Sequence, residues 1–459
     1  MNKFLLHSFG CKVSQYDGKR LEERLMDLGL IPVEDGGVPD VFLLNGCAVT
    51  GRASQKVRQA ARTAMRRWPQ AVVIVTGCEA KRHDISGESD PIDAHAVLPV
   101  GADDDEIRRC LESCGVLLSP SPRHACRSSL SGGRTRAFLK IQDGCSQFCT
   151  YCIVPYLRGT ETSKSLEEAV AEGRALAAAG YRELVVTGIH IGHYAHDLVT
   201  LLRELEKIDG IDRLRLSSIE PLEVSDDLID WMSTSSKACP HLHIPLQAGH
   251  DAVLAAMNRP YRTAAFTSLI RRIRERLPDA GLTTDLIVGF PGETDEQFSA
   301  GLAFVEAMAF SRLHIFRYSV RPGTPAANFA DQISGSVKQA RARAADAVWR
   351  RLEKNFAASF VGHELEVLWE KCEAGMWHGL SREYLACRLS ASTVSGMTDL
   401  SNVVMRVLAT RTVLSEATAE EVSFAGEQSM QQPVHDSGDA VLVIPTQKEL
   451  RSYGESFDS

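Results

Sequence analysis

Short apolar runs alternate with amphipathic stretches over the first hundred residues of the chain. Three runs have the continuous apolar character of buried parallel strands: "FLL" (4–6), "VFLL" (41–44) and "VVIV" (72–75). Residues 14–29 and 54–68 have helical periodicity, and Pro69 ends the second of these helices. The alternation predicts an α/β fold, with a doubly wound parallel sheet in an N-terminal domain of residues 1–118.

A second alternation of strands and helices follows residues 116–136, which are rich in Ser, Pro, Gly and Arg and predict a linker. It contains six strand patterns: "AFLKIQD" (137–143), "RELVVTG" (182–188), "RLRLSSI" (213–219), "HLHIPLQ" (241–247), "LTTDLIVGF" (282–290) and "RLHIFRYS" (312–319). Helical stretches such as 165–179 and 295–308 fill the gaps. Six βα units predict a partial (βα)6 barrel over residues 131–358, with its active site at the C-terminal strand ends.

The last part of the chain has a different pattern. Residues 335–358 predict a connecting helix, and the β-rich residues 360–415 predict a small antiparallel β-barrel. Residues 416–459 contain nine acidic and two basic residues and predict a flexible tail. Within that tail, "AVLVIP" (440–445) is apolar enough to dock as a strand.

Composition narrows the class of protein. The 459 residues are 44% apolar and 24% charged, which is typical of a globular enzyme. No apolar run reaches the length of a membrane span, and "MNKFLLHSFG" lacks the features of a secretory signal. We therefore expect a cytoplasmic protein with reduced thiols, in which the twelve cysteines are metal ligands or buried apolar residues rather than disulfides.

Three cysteines follow the three N-terminal strands, each directly after a glycine: Cys11, Cys47 and Cys78. The C-terminal ends of parallel strands share one edge of a sheet, and ligands bind there. The three thiols are therefore expected to converge, although they are distant in sequence. The alternative is three unrelated buried cysteines, because free cysteine is often buried.

Another three cysteines lie within "DGCSQFCTYC" (143–152), spaced C-x3-C-x2-C: Cys145, Cys149 and Cys152. A structural zinc site needs four ligands, whereas three thiolates hold three corners of a 4Fe-4S cluster and leave the fourth iron open to a small ligand. Phe148 and Tyr151 lie between these cysteines, where they would shield a cluster and stack on a flat ligand. A zinc knuckle with a distant fourth ligand is the alternative.

Eight motifs carry a resemblance to a known family. They occur in this order: "GCKVSQYDG" (10–18), "NGCAVT" (45–50), "TGCEA" (76–80), "DGCSQFCTYCIVPYLRGTETS" (143–163), "RLSSIEP" (215–221), "HIPLQAGHDAVLAAMNRPY" (243–261), "TDLIVGFPGET" (284–294) and "HIFRYSVRPGTPA" (314–326). Together they resemble the radical S-adenosylmethionine (SAM) methylthiotransferases that modify tRNA. The resemblance spans roughly residues 1–415 and implies a cluster domain, a radical SAM barrel and a C-terminal RNA-binding TRAM domain.

The resemblance also implies roles for individual residues. Cys145, Cys149 and Cys152 would hold the catalytic 4Fe-4S cluster that binds SAM, and Cys11, Cys47 and Cys78 a second 4Fe-4S cluster that delivers sulfur. Seven residues match positions of the SAM pocket: Tyr151, Gly188, Ser217, Ser218, Glu220, Gln247 and Asp285. For Glu220 and Asp285, a carboxylate with ordinary partners at a strand end is the alternative.

The activity implied by the resemblance is transfer of a methylthio group to C2 of N6-threonylcarbamoyladenosine 37, beside the tRNA anticodon. One SAM would supply the methyl group and a second the radical. The implied partners are the anticodon stem-loop, a low-potential electron donor of the flavodoxin or ferredoxin type, and a sulfur donor. "GCKV" (10–13) resembles the threonylcarbamoyl branch, while Ser14, Glu79 and Lys81 depart from the usual pattern.

Three other functions remain open at this point. Two use the same chemistry on isopentenyl-adenosine in tRNA or on a ribosomal-protein side chain. The third is a non-catalytic protein that binds zinc and RNA.

A basic helix is the candidate RNA contact. Residues 41–78 contain six basic and no acidic residues, and Arg58, Arg62 and Arg66 share one helical face. Arg123, Arg127, Arg134 and Arg136 in the linker would add to that surface. A solvated helix face is the alternative.

Overall fold

The computed structural model describes residues 2–33, 36–49, 51–86, 92–118, 135–394, 399–413 and 440–445. The chain forms two compact units. Unit 1 comprises Met1–Arg127, Gln142–Thr162 and Ser319–Phe329, and unit 2 comprises the remaining residues. The units do not follow the predicted domain boundaries, since residues 142–162 group with the N-terminal sheet rather than with the rest of the barrel.

Unit 1 contains the predicted parallel sheet. Its strands are β1 (Lys3–Ser8), β2 (Ile31–Pro32), β3 (Val41–Gly46), β4 (Val72–Gly77) and β5 (Ala96–Val97), in the order β2-β1-β3-β4-β5. All four neighbouring pairs are parallel. The doubly wound arrangement is confirmed.

Five helices of unit 1 accompany this sheet: α1 (Lys12–Asp27), α2 (Gly51–Arg67), α3 (Cys78–Ser86), α4 (Asp104–Ser113) and α5 (Val154–Arg158). Leu43 of β3 packs in one apolar cluster with Leu25 of α1 and Ile107 of α4. Its neighbour Leu44 packs in a second cluster with Val57 of α2. Both faces of the sheet are therefore buried, and this explains why its strands are continuously apolar.

The six strand patterns of the predicted barrel form two sheets. One has the order β7-β6-β8-β9, with β6 (Arg136–Asp143), β7 (Thr162–Ser163), β8 (Glu183–Gly188) and β9 (Arg213–Leu216). The other consists of β10 (His241–His243), β11 (Gly281–Val288) and β12 (Arg312–Arg317). An isolated parallel bridge between Ser218, just after β9, and His243 of β10 joins the two sheets, and Ile219 N donates to His243 O at 3.0 Å. The sheets thus follow one another as an open barrel.

Helices fill the gaps between the barrel strands: α6 (Leu166–Ala178), α7 (Leu198–Glu206), α8 (Asp226–Thr234), α9 (Asp251–Ala256), α10 (Thr263–Arg276) and α11 (Asp295–Met308). Ser165 and Thr294 begin α6 and α11 with capping boxes, in which the side chain at N3 also binds the backbone of the cap residue. The connecting helix is α12 (Gly335–Ser359).

The C-terminal barrel is closed, and it is larger than predicted. Its strands are β13 (Glu364–Glu373), β14 (Met376–Ser381), β15 (Ala386–Ser390), β16 (Val404–Val413) and β17 (Ala440–Pro445). β17 pairs antiparallel with β16 and parallel with β15, and buried Val441 joins the barrel core. The predicted boundary at 415 therefore omits one strand, because β17 comes from the segment expected to be a flexible tail. The other residues of 416–459 lie outside the described residues.

Candidate functional site

The loop of the C-x3-C-x2-C motif connects β6 to α5. Gly144 has a φ of +79°, and a Cβ there would clash with the carbonyl oxygen of Thr160. Phe148 also has a positive φ, 47°, and 49% of its surface is exposed. Cys149 is buried, whereas Cys145 and Cys152 are partly exposed. Tyr151 is half-buried in the same loop. The loop thus presents its thiols from an irregular backbone that glycine makes possible.

The strand-end cysteines occupy equivalent places along three adjacent strands. Cys11 directly precedes α1, Cys47 follows β3, and Cys78 is the first residue of α3. Burial raises the pKa of Cys47 to about 12, and the nearby Cys11 and Cys78 thiols raise it as well. Gly10 has a φ of +129°, and a Cβ on it would lie 2.7 Å from Cys47 Cβ. The structure therefore brings the three cysteines together, as the strand-end pattern predicts.

Both sets fit the clusters that the sequence suggests. All six cysteines lie in unit 1, and none of the six forms a disulfide. A buried thiol with a raised pKa is a costly thiolate in isolation, but bound iron compensates for its negative charge. Sets of sulfur ligands alone suit zinc or iron–sulfur clusters, and three per set is the number that leaves one iron of a 4Fe-4S cluster open.

Except for Tyr151, the residues assigned to the SAM pocket lie on or just after strands of unit 2. Gly188 ends β8, and Ser217, Ser218 and Glu220 follow β9. The buried Ser217 hydroxyl has no hydrogen-bond partner within the described part of the chain. The Glu220 carboxylate forms an ion pair with Arg259. Burial raises the pKa of Glu220, and Arg259 opposes this shift. Ser217 thus offers a polar group that a ligand would satisfy.

Gln247 and Asp285 are neighbours in unit 2. The Gln247 backbone, with a φ of 66°, donates to the Asp285 carbonyl at 2.9 Å. Asp285 lies within β11, and its carboxylate contacts His243 at 3.2 Å and His314 at 3.4 Å. Burial alone would raise the pKa of Asp285, but the two histidines outweigh it and hold the pKa well below its usual range. Glu220 and Asp285 both have cationic or imidazole partners, so their contacts also fit the alternative given for them.

A cluster of two histidines and a glutamate was missed by the sequence analysis. Glu223 Oε1 lies 2.5 Å from His190 Nε2 and 3.2 Å from His193 Nε2, and the two imidazole rings stack at 3.8 Å. Gly192 permits this approach, because a Cβ on it would collide with the Glu223 carboxylate. The H-x2-H spacing directly after β8 was the available signal. The cluster follows strands β8 and β9, where barrel active sites form.

The basic helix has acidic partners that its own segment does not reveal. Arg58 contacts Glu79 at 3.5 Å, and Arg62 contacts Asp93 at 2.5 Å. Arg66 donates to the Arg62 carbonyl at 3.3 Å. Glu79 is fully buried and also binds Arg82. Arg58 is therefore part of a buried ion-pair cluster, while the exposed Arg62 and Arg66 remain candidates for RNA contact.

Of the four arginines predicted in the linker, the structure describes only Arg136. Arg136 forms an ion pair of 2.6 Å with Glu370 in unit 2. Arg123, Arg127 and Arg134 lie outside the described residues.

Comparison with known proteins agrees with this geometry. The family described as "Radical SAM superfamily" matches residues 139–305, and "Uncharacterized protein family UPF0004" matches residues 3–97. A solved radical SAM methyltransferase, TsrM from Kitasatospora setae, has the same fold with a TM-score of 0.54 at 16% identity, covering 71% of this chain and 76% of that one. The family match and the likeness in fold agree in identifying the open barrel as a radical SAM domain.

Three curated relatives define the family more closely. Threonylcarbamoyladenosine tRNA methylthiotransferase MtaB of Bacillus subtilis is 34% identical, covering 83% of this chain and 88% of the relative. Its namesake in Thermotoga maritima is 35% identical, with 81% and 87% covered. The tRNA-2-methylthio-N(6)-dimethylallyladenosine synthase of Sphingopyxis alaskensis is 35% identical, with 80% and 86% covered. The chain belongs to the radical SAM methylthiotransferase family.

Membership in this family defines the cofactors. They are SAM and two 4Fe-4S clusters, one for each family match. Among the described helices, none is long and apolar enough to cross a membrane.

Proposed function

We propose that this chain transfers a methylthio group to C2 of N6-threonylcarbamoyladenosine 37 in tRNA. The observation that carries the proposal is the occurrence of two separate three-cysteine sets in one compact unit. A radical SAM enzyme needs one such set, and insertion of sulfur gives a reason for the second. The expected cytoplasmic location suits a tRNA substrate.

The family resemblance assigns a separate role in binding SAM to each group of residues. Cys145, Cys149 and Cys152 would hold the cluster that binds SAM, and the half-buried Tyr151 would contact the adenine of SAM. By their match to the family motifs, we assign a further set of residues to SAM binding: Ser217, Ser218, Glu220, Gln247, Asp285 and the backbone at Gly188. SAM when bound supplies a radical that removes hydrogen from an unactivated aromatic carbon, chemistry that no side-chain acid or base provides.

Cys11, Cys47 and Cys78 would hold the cluster that presents sulfur. Each product carries one new sulfur atom, so repeated turnover requires a sulfur donor. Reductive cleavage of SAM consumes one electron, so the enzyme also requires a low-potential donor of the flavodoxin or ferredoxin type.

The polar groups beyond β8 and β9 favour the threonylcarbamoyl substrate. The Glu223 Oε2 atom is buried and has no hydrogen-bond partner among the described residues. A threonylcarbamoyl group has N–H and O–H donors that can satisfy this carboxylate, whereas a dimethylallyl group would leave it unpaired at a cost of about 1–3 kcal/mol. This contact is the feature that supports the choice, because relatives of both kinds have nearly equal identity.

Nucleoside mass spectrometry of tRNA from a deletion strain tests the proposal. We expect the methylthio derivative of threonylcarbamoyladenosine to disappear and its precursor to accumulate, with recovery when the gene is restored. Loss of methylthio-dimethylallyladenosine instead would identify the other substrate. Unchanged tRNA nucleosides would contradict a role in tRNA modification.

A further inference from the structure

The guanidinium group of Arg158 lies between the two cysteine sites. Arg158 ends α5, the helix that follows the Cys145–Cys152 loop. Only 2% of its side-chain surface is exposed. A buried arginine carries a charge that must be compensated by its immediate neighbours.

Three groups of unit 1 meet this guanidinium, and each comes from a segment that carries a cysteine of one of the two sets. Nη1 lies 2.8 Å from Asp17 Oδ2, in the helix that Cys11 precedes. It also lies 2.9 Å from Asp143 Oδ2, two residues before Cys145. Burial raises the pKa of the Cys78 thiol, and the nearby positive charge of Arg158 opposes this shift. Arg158 therefore links segments of both sets.

One donor of Arg158 remains available. Its Nε atom is buried and has no hydrogen-bond partner within the residues that the structure describes. A buried N–H without an acceptor is costly, so such groups in native proteins usually have a partner. The sulfur atoms of a cluster held by the neighbouring Cys11, Cys47 and Cys78 are acceptors of the right kind.

We infer that Arg158 is a positioning residue that sets the reduction potential of the cluster held by Cys11, Cys47 and Cys78 and joins this cluster site to the SAM-cluster loop. The inference rests on the cluster assignment of the proposed function. Hydrogen bonds to cluster sulfurs and nearby positive charge stabilise the more negative, reduced state and therefore raise the potential. Asp17 carries the opposite charge next to the same guanidinium, so it lowers the potential.

The test uses the full-length chain with Cys149→Ala, so that after anaerobic reconstitution only the cluster of interest is present. Four further substitutions are compared in that background: Arg158→Gln, Arg158→Lys, Asp17→Asn and, as a control for net charge, Arg66→Gln. Iron content is measured first, and a potentiometric titration followed by electron paramagnetic resonance gives the midpoint potential.

We expect Arg158→Gln to shift the potential to more negative values and Asp17→Asn to more positive values. Arg158→Lys keeps the charge and should shift it less than Arg158→Gln, and Arg66→Gln should match the parent. If Arg158 and Asp17 only support the fold, their substitutions should lower the iron content without shifting the midpoint potential in opposite directions. A parental potential in Arg158→Gln overturns the inference. If Arg158→Gln binds no iron, Asp17→Asn decides: a midpoint potential equal to that of the Cys149→Ala parent then overturns the inference.

Failure of the inference differs from failure of the proposed function. If the Cys149→Ala parent itself binds no cluster, the assignment of Cys11, Cys47 and Cys78 is wrong and the inference is overturned with it. If the parent binds about four irons and the potentials are unshifted, only the role of Arg158 is overturned.

Discussion

Glu183 is a fully buried carboxylate in unit 2, and it shows how one residue supports the docking of the C-terminal barrel. It forms ion pairs with Arg213 at 2.9 Å and Arg215 at 2.7 Å. The two arginines in turn donate to carbonyl oxygens of the barrel, Arg213 to Leu380 at 2.9 Å and Arg215 to Ser381 at 3.1 Å. The carboxylate thus compensates the charges that hold the two barrels of unit 2 together.

Replacing Glu183 by Gln should strongly destabilise unit 2. The substitution leaves buried guanidinium groups without their counter-charge, which typically costs about 3–5 kcal/mol. Urea unfolding measures the change in free energy. The control is Glu167→Gln on the exposed face of α6, which should change stability by no more than about 0.5 kcal/mol. Equal stability of the two variants would show that the arginines do not depend on Glu183.

The stability that Glu183 provides should also depend on pH. Burial alone would raise the pKa of Glu183, but Arg215, Arg213 and Arg136 outweigh it and lower the pKa to about 2 from an ordinary 4.5. Because the folded-state pKa is lowered, the contribution is complete above pH 4.5 and disappears as the pH falls towards 2. The stability difference between the native chain and Glu183→Gln should therefore shrink over this interval. A constant difference would contradict an ionised Glu183.

Sequence alone identified the cysteines but not the charged residues around them. The cysteines were recognisable because glycine precedes four of the six and because the strand ends of a parallel sheet converge. Arg158 and Asp17 are distant in sequence, and each is unremarkable in its own segment. Pairing of this kind becomes visible only when the fold brings the segments together.

At the scale of elements, β17 is the main correction. It supplies the fifth strand of the closed C-terminal barrel, between β15 and β16. The sequence analysis placed it in an acid-rich segment that was expected to be a flexible tail. The strand itself was recognisable as an apolar run, but its partners could not be inferred, because 26 residues separate it from β16.

Removal of β17 should open the barrel. A chain that ends after Ser415 loses the partner of two strands and exposes their edges, so we expect lower thermal stability and weaker tRNA binding. A chain that ends after Thr446 keeps β17 and serves as the matched control. Thermal unfolding and filter binding of tRNA measure both effects. Native behaviour of the shorter chain would mean that β17 is not needed for the barrel.

The other elements largely follow the sequence pattern. β9 ends at Leu216 rather than at the predicted residue 219, and β10 ends at His243 although a strand over 241–247 was predicted. Pro245 explains the early end of β10, because it has no N–H group for a strand ladder. The apolar pattern continues past this point, where pairing with β11 is reduced to an isolated bridge between Gln247 and Leu286.

The arginines of helix α2 have two different roles: Arg58 supports the fold, and Arg62 and Arg66 are candidates for RNA contact. Arg66→Gln should lower the slope of log binding constant against log salt by about 0.7–0.9 if Arg66 meets a phosphate. Arg58→Gln should instead reduce stability, because Glu79 is buried and loses a partner. Salt titrations of tRNA binding and urea unfolding distinguish the two. An unchanged slope for Arg66→Gln would mean that this face of α2 contacts only solvent.

At the scale of the whole molecule, the central claim is a division of labour between two cysteine sets. They lie in the same compact unit, yet one follows the strand ends of the N-terminal sheet and the other forms a loop after β6. The claim predicts that each set can be disabled separately, with different chemical consequences.

The most direct measurement compares Cys149→Ala with Cys47→Ala after anaerobic reconstitution, with iron, 5′-deoxyadenosine and tRNA nucleosides measured in the same samples. Each variant should lose about half of the iron, because each 4Fe-4S cluster depends on its own thiolates. Cys149→Ala should end all reductive cleavage of SAM. Cys47→Ala should still produce 5′-deoxyadenosine but no methylthiolated tRNA. If Cys47→Ala makes the methylthiolated product, the strand-end cysteines are structural and the two-cluster account is contradicted.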